Sequence, residues 1–212
     1  MNFHALFGII AAVIAFTAYP VYIFSIVKGT TRPDRVTWWI LSLSCFLLAA
    51  SYYASGARDT VWIALAYAFG DVVIAIFSIW YGDGQWDFMD KICLVLAVVA
   101  AGLWWLLGSP LVAFLISMGI DFLGIVPTIY KTYNKPSTES ATAWIMDSIA
   151  SVFSVLAIEK LTFAVVIYPV YLLLTNCILA FLTLQRKHFL KPLFSRFSWA
   201  GFPAQGQRGA GE

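Results

Sequence analysis

Apolar residues run almost unbroken from residue 3 to residue 185, in stretches separated by short clusters of Gly, Pro and charge. A helix needs about 20 apolar residues to cross the hydrocarbon core of a bilayer. Seven stretches of that kind can be marked, at about 3–27, 36–54, 60–81, 91–108, 110–131, 141–158 and 161–185. The second and sixth are short and are expected to extend into the interface. The joints carry breakers or charges: Gly29 and Pro33, Ser55-Gly56, Gly82-Asp83-Gly84, Gly108-Ser109-Pro110, Pro136, and Glu159-Lys160. The pattern predicts an all-α membrane protein of seven transmembrane helices.

Three polar positions break this pattern from within. Asp71, Asp121 and Asp147 each fall inside an apolar stretch, where a charge costs a few kcal/mol on insertion scales. Such a residue is tolerated when it faces a partner or a water-filled cavity. Three of them predict a polar site enclosed by the spans. No Lys or Arg lies deep in any stretch to neutralise them, so they must be protonated, hydrogen-bonded or matched to a cation. On the sixth stretch Asp147, Ser151 and Ser154 fall at i, i+4 and i+7, one helix face, with Trp144 at i−3. That stripe reads either as a water-accessible path or, for the serines, as small residues that allow close helix packing.

Composition agrees with a membrane class. The chain of 212 residues is 61% hydrophobic and only 11% charged, against roughly a quarter charged in soluble domains. Its mean hydropathy is +0.84. Nine Trp and ten Tyr fit aromatic belts at two interfaces, where Tyr130 and Tyr133 are placed. A net charge of +2 is too small to argue for nucleic acid. Cys45, Cys93 and Cys177 lie in apolar stretches without metal-like spacing and read as small buried hydrophobes, not as a disulfide framework. Met1-Asn2-Phe3-His4 lacks the basic segment of a cleavable signal peptide and is read as the start of the first span.

The basic residues set the topology. Lys28, Arg32, Arg35, Lys91, Lys131, Lys135, Arg186, Lys187, Lys191, Arg196 and Arg208 fall on one side of a seven-span plan, and only Arg58 and Lys160 on the other. The positive-inside rule then puts the C-terminus in the cytoplasm and Met1 outside. The tail from Lys187, basic and aromatic with Phe189, Phe194, Phe197 and Trp199, reads either as a segment lying on the anionic inner leaflet or as a loose juxtamembrane tail.

The chain also repeats itself. Pro20-Val21-Tyr22, Lys28 and Thr37-Trp38-Trp39 are followed by Pro127-Thr128-Ile129, Lys135 and Thr142-Ala143-Trp144. Pro to Lys is eight residues in both copies, whereas Lys to Thr is nine in the first and seven in the second. Each copy has a helix with a Pro near its cytoplasmic end, a short basic loop, a Thr-x-Trp opening the next helix, and a third helix. The fourth stretch is left as a linker. Two odd-numbered units of one orientation need such an extra span between them, and are then parallel repeats about an axis along the membrane normal. The expected division is 1–85 for the first three-helix repeat, 86–109 for the linker helix, 110–186 for the second repeat and 187–212 for a cytoplasmic tail.

On Pro20, Lys28 and Thr37-x-Trp39 with Pro127, Lys135 and Thr142-x-Trp144, in a 3+1+3 plan, the chain resembles the SWEET and PQ-loop transporter superfamily over about 1–185. The resemblance implies two three-helix bundles facing each other across a central site, with a polar residue on the third helix of each repeat in contact with substrate. Carried onto this chain, those are Asp71 and Asn176. The resemblance also implies Pro20 and Pro127 as hinges, and Trp39 and Trp144 as gate elements near the cytoplasmic end. There are departures. Val21 and Thr128 stand where the family has Gln after Pro, and the second and sixth stretches lack the prolines of sugar-transporting members. Three acids are also unlike a neutral-sugar site.

The expected function is a secondary transporter or facilitator of a small polar solute, a sugar or an amino acid or amine, by alternating access in a lipid bilayer. Asp71, Asp121 and Asp147 are the expected proton-coupling or cation site. A bacterial inner membrane is the expected location, with homo-oligomerisation left open. A receptor or trafficking protein on the same fold is the alternative, though a pocket for a peptide carboxylate would need a deep Lys or Arg. A retinal protein would need a Lys in the last span, which has none. An enzyme is not expected: Asp71 and Asp121 could be imagined as a dyad but lack a Gly-rich signature, and His4 and His188 sit near the ends. Neither a metal nor a cofactor is expected.

Overall fold

The computed structural model describes residues 2–82, 88–106 and 109–185, without the side chains of Met89 and Trp104. The tail expected at 187–212 and the Asp83-Gly84 part of the third loop lie outside the described residues. The fold is all-helical: α1 (Phe3–Val27), α2 (Arg35–Ala54), α3 (Val61–Tyr81), α4 (Phe88–Leu106), α5 (Pro110–Asn134), α6 (Ala141–Leu156) and α7 (Phe163–Leu184), with a 3-10 turn at Pro136–Thr138 before α6.

Side-chain caps fix where three of these helices begin. Asn2 Oδ1 accepts from Ala5 N at 2.8 Å and Asp34 Oδ1 from Thr37 N at 2.9 Å. Ser140 Oγ accepts from Ala143 N at 3.5 Å. Each satisfies a donor that the first helical turn leaves without an intrahelical partner.

Among the described residues five helices, α1, α2, α3, α5 and α7, are long and apolar enough to cross a membrane. α6 is not one of them. Its 16 residues rise about 24 Å, short of a hydrocarbon core of about 30 Å. α4 has 19 residues and carries Asp90 and Lys91 near its start.

Packing is between specific pairs. α1 lies against α3 and α6, α2 against α3 and α5, and α7 against α5 and α6, while α4 rests on α5. Small residues let the backbones close up: Ala11, Ala15 and Ala18 on α1 and Ala64 and Ala68 on α3 are buried. The large apolar side chains Phe16, Phe24, Phe69, Trp80, Phe163 and Phe181 face outward at more than half exposure, as a lipid-facing surface requires. Cys45 and Cys93 are buried as expected, but Cys177 is exposed, because it falls on the outward face of α7.

Gly70 shows how closely the helices approach. A Cβ there would collide with the ring of Tyr19, so only glycine lets that ring cross α3 and bring its hydroxyl to Asp71.

Candidate functional site

Six of the helices line a cavity of about 50 Å³. Its wall is built from α1 (Ala18, Tyr19, Tyr22), α2 (Trp38, Leu41, Cys45), α3 (Tyr67, Asp71), α5 (Asp121, Ile125), α6 (Ala143, Trp144, Asp147) and α7 (Tyr171, Leu172, Thr175, Asn176). All three intramembrane acids therefore meet in one space, and Asn176 joins them. No Lys, Arg or His belongs to the described wall. At roughly 10–15 Å³ per ordered water, the space holds a few waters, much less than a hexose.

The acids are held differently. Asp71 takes a close hydrogen bond from the Tyr19 hydroxyl and one from the Cys45 thiol at 3.1 Å. Asp121 accepts from the Tyr171 hydroxyl at 2.6 Å, from Ser44 Oγ at 3.3 Å, and lies 3.5 Å from the same thiol. Cys45 has one hydrogen, so Asp71 and Asp121 compete for it, and the thiol couples the two carboxylates. Asp147 is the least bonded: the Tyr67 hydroxyl reaches its Oδ1 at 3.4 Å, and no hydrogen bond reaches its Oδ2 among the described residues.

Asn176 is held by its amide. Its Nδ2 is 2.9 Å from Ser151 Oγ and 3.1 Å from Tyr67 Oη. Ser151 and Ser154 are fully buried, away from the cavity wall, and Ser151 ties α6 to α7. The close-packing reading of the serine stripe applies, not the water path.

The basic end of the cavity, next to the loops carrying Arg32 and Lys135, is closed by a cluster the sequence reading missed. Lys131 of α5 makes an ion pair with Glu139, its side chain nearly buried and that of Glu139 wholly so. Glu139 Oε2 accepts from the Tyr22 hydroxyl at 2.8 Å and from the Trp144 indole N–H at 3.1 Å. Lys131 also donates to the Arg32 carbonyl, and Arg32 N donates to the Thr138 carbonyl at 3.0 Å. The two basic loops are thus stitched together. One signal could have found Glu139: it is a lone acid among basic residues, directly before the cap Ser140.

The opposite end is closed by aromatic packing. Tyr52, Phe114 and Tyr168 are fully buried, with centroids 5.0 Å apart for Tyr52 and Phe114 and 5.2 Å for Tyr52 and Tyr168.

The expected gate pair needs correction. Trp39 is 47% exposed and faces away from the cavity, whereas Trp38 is buried and stacks on Trp144 with centroids 6.5 Å apart and planes at 23°. The Thr-x-Trp alignment was off by one residue, because it counted from a threonine and not from the helix cap. Trp38 is four residues after the cap Asp34, and Trp144 four after the cap Ser140. The same count pairs Cys45 with Ser151, both eleven residues past their caps. Cys45 then bonds Asp71 as Ser151 bonds Asn176. Pro20 and Pro127 both lie inside continuous helices, Pro20 exposed and Pro127 buried.

Tyr19, Tyr22, Tyr67 and Tyr171 were also missed as site residues. Tyr19 and Tyr22 bracket Pro20 at i, i+3 spacing, the one pattern that could have flagged them. Among the described residues no group of three or more His, Cys, Asp or Glu is placed to hold a metal ion.

No family model matches this chain, and neither a curated protein nor a solved structure matches it.

Proposed function

We propose that this chain is a secondary transporter or facilitator that carries a small polar solute across a membrane by alternating access, and that Asp71, Asp121 and Asp147 form its cation or proton-coupling site. The observation that carries the reading is one cavity, between α1–α3 and α5–α7, into which all three intramembrane acids converge. A polar space at the interface of the two helix groups is where a carrier of this kind places its substrate site. Asp71 and Asn176 are the proposed substrate contacts, Pro20 and Pro127 the hinges, and Trp38 replaces Trp39 opposite Trp144 as the gate pair.

The 3+1+3 plan and the likeness to the SWEET and PQ-loop superfamily belong to the same proposal. The packing pattern supports them. Exchanging α1, α2 and α3 for α5, α6 and α7 turns the α1–α6 contact into α5–α2, α1–α3 into α5–α7 and α2–α3 into α6–α7, each of which is present. The matched Cys45–Asp71 and Ser151–Asn176 pairs support them too. In this reading α4 and α6 also span, the basic end faces the cytoplasm, and the membrane is a bacterial inner membrane.

Uptake into proteoliposomes, with and without an inward proton gradient, tests the proposal against neutral sugars, cationic amino acids and small amines. Accumulation that needs the gradient, and that Asp71→Asn, Asp121→Asn or Asp147→Asn abolishes, is expected. Equal transport by all three variants at every pH would remove the acids from the mechanism. Absence of uptake for the whole panel would count against transport.

A further inference from the structure

One buried carboxylate, Glu139, gathers the contacts at the basic end of the molecule. It belongs to no helix and lies between the 3-10 turn and the cap Ser140. Its side chain is wholly buried and pairs with Lys131 of α5. Its Oε2 accepts from the Tyr22 hydroxyl of α1 and from the Trp144 indole N–H of α6. The Trp38 indole of α2 bonds in turn to the Tyr22 hydroxyl. Both stacked indoles therefore end on Glu139, one directly and one through Tyr22.

These bonds cross between the two helix groups. Tyr22 and Trp38 belong to α1 and α2, whereas Lys131, Glu139 and Trp144 belong to α5, α6 and the loop between them. Tyr22, Trp38 and Trp144 also line the cavity, so three wall residues hang on one side chain behind the wall. A buried ion pair is a poor device for permanent closure. Apolar side chains of similar volume hold as well or better, and the best-attested use of such a pair is to select between states. The composition of this joint therefore suits an end that has to open.

Taking the transport reading of the cavity as the starting point, we infer that Glu139 is the gating residue of the basic end. While it holds Lys131, Tyr22 and Trp144, the cavity is shut to that side. Its release lets α1 and α2 part from α6 and α5, the helices they pack on, and admits solute. Such parting is the rocking of one helix group against the other by which repeat transporters alternate.

Cys45 reports the gate without knowledge of the solute. Its thiol lies in the cavity wall and is 2% exposed. Cys93 is equally buried, but with Val36, Ile40 and Ile120 and away from the wall. Two otherwise complete chains keep one thiol each: Cys45, with Cys93→Ala and Cys177→Ala, or Cys93, with Cys45→Ser and Cys177→Ala. A membrane-impermeant cationic methanethiosulfonate is added to sealed vesicles of either orientation, and labelling is followed by intact mass. From the side of the Arg32 and Lys135 loops, Glu139→Gln should speed labelling of Cys45 about tenfold or more, as loss of bonds to a charged acceptor predicts. Lys131→Gln removes the same ion pair from its other half and should give the same gain, which covers a Glu139 variant that fails to fold. Glu139→Asp keeps the charge and should gain less. From the opposite side Cys45 should not change, and Cys93 should stay unreactive throughout.

Unchanged labelling of Cys45 in both Gln variants overturns the inference. So does a gain from both sides, or a matching gain at Cys93, because either marks general loosening. Equal gains for Glu139→Gln and Glu139→Asp would make the effect one of packing and also overturn it. Uptake separates the two levels. A side-selective gain in a chain that transports nothing keeps the gate and sinks the transport reading. Uptake by a chain whose Cys45 labelling ignores Glu139 keeps transport and sinks the gate.

Discussion

The two ends of the cavity are closed by different chemistry. At the basic end, the Lys131–Glu139 ion pair, the Tyr22 hydroxyl and the Trp144 indole join α1, α5, α6 and the two basic loops. At the opposite end, Tyr52, Phe114 and Tyr168 pack ring on ring, and the Tyr52 hydroxyl lies 2.9 Å from both the Val165 carbonyl and Thr60 Oγ1. It donates to the carbonyl and accepts the Thr60 hydrogen. A buried ion pair gains little net stability over an apolar replacement, yet is costly to break from one side. The basic end is thus held by a charged, hydrogen-bonded latch, and the far end chiefly by ring packing.

The largest effect should come from splitting the latch. Glu139→Leu leaves Lys131 buried without its counter-charge and strands the Tyr22 and Trp144 donors, at a cost of about 3–5 kcal/mol. Thermal unfolding in detergent should show it, and Lys131→Met with Glu139→Leu together should recover part of the loss. If the double variant is less stable than both single ones, the ion pair is not what holds that end.

Gly70→Ala comes next. The new methyl meets the Tyr19 ring, and overpacking of this kind costs about 1–3 kcal/mol. It also pushes the Tyr19 hydroxyl off Asp71, so ligand binding should weaken along with the melting temperature. A melting loss without change in binding would detach Tyr19 from the site.

Tyr52→Phe probes the far seal. It keeps the ring and loses one hydroxyl, for about 1–2 kcal/mol from the Val165 carbonyl left without its donor. The smallest effect is expected from Trp39→Phe, within about 0.5 kcal/mol and without change in uptake, because that side chain faces outward. The same change at Trp38 should alter binding. Equal effects at both positions would undo the cap-based register.

Much of the fold was readable along the chain, because lipid forces each segment to satisfy its own backbone. The marked stretches fall within three residues of every helix boundary, with α1 matched at both ends. Among the described residues five of the seven expected spans are long and apolar enough to cross a membrane, and α6, with 16 residues, matches the short sixth stretch. Among site residues, Asp71, Asp121 and Asp147 were visible because an acid in an apolar run has no other excuse. The tyrosines were hidden, because in such a chain an aromatic residue fits lipid, belt and site equally.

Sequence by itself determined the helical, membrane-compatible class and the presence of three acids that need an enclosure, since both follow from solvation of single residues in hydrocarbon. Only the tertiary structure decided that the acids share one small cavity, that Cys45 links two of them, that Trp38 and not Trp39 meets Trp144, and that Glu139 closes the basic end. Those facts depend on helix rotation and on pairing between distant segments, such as Tyr22 and Glu139, 117 positions apart. Apolar periodicity along one helix leaves such rotations open, because nearly every face of a spanning helix is apolar, and packing against the neighbours selects among them.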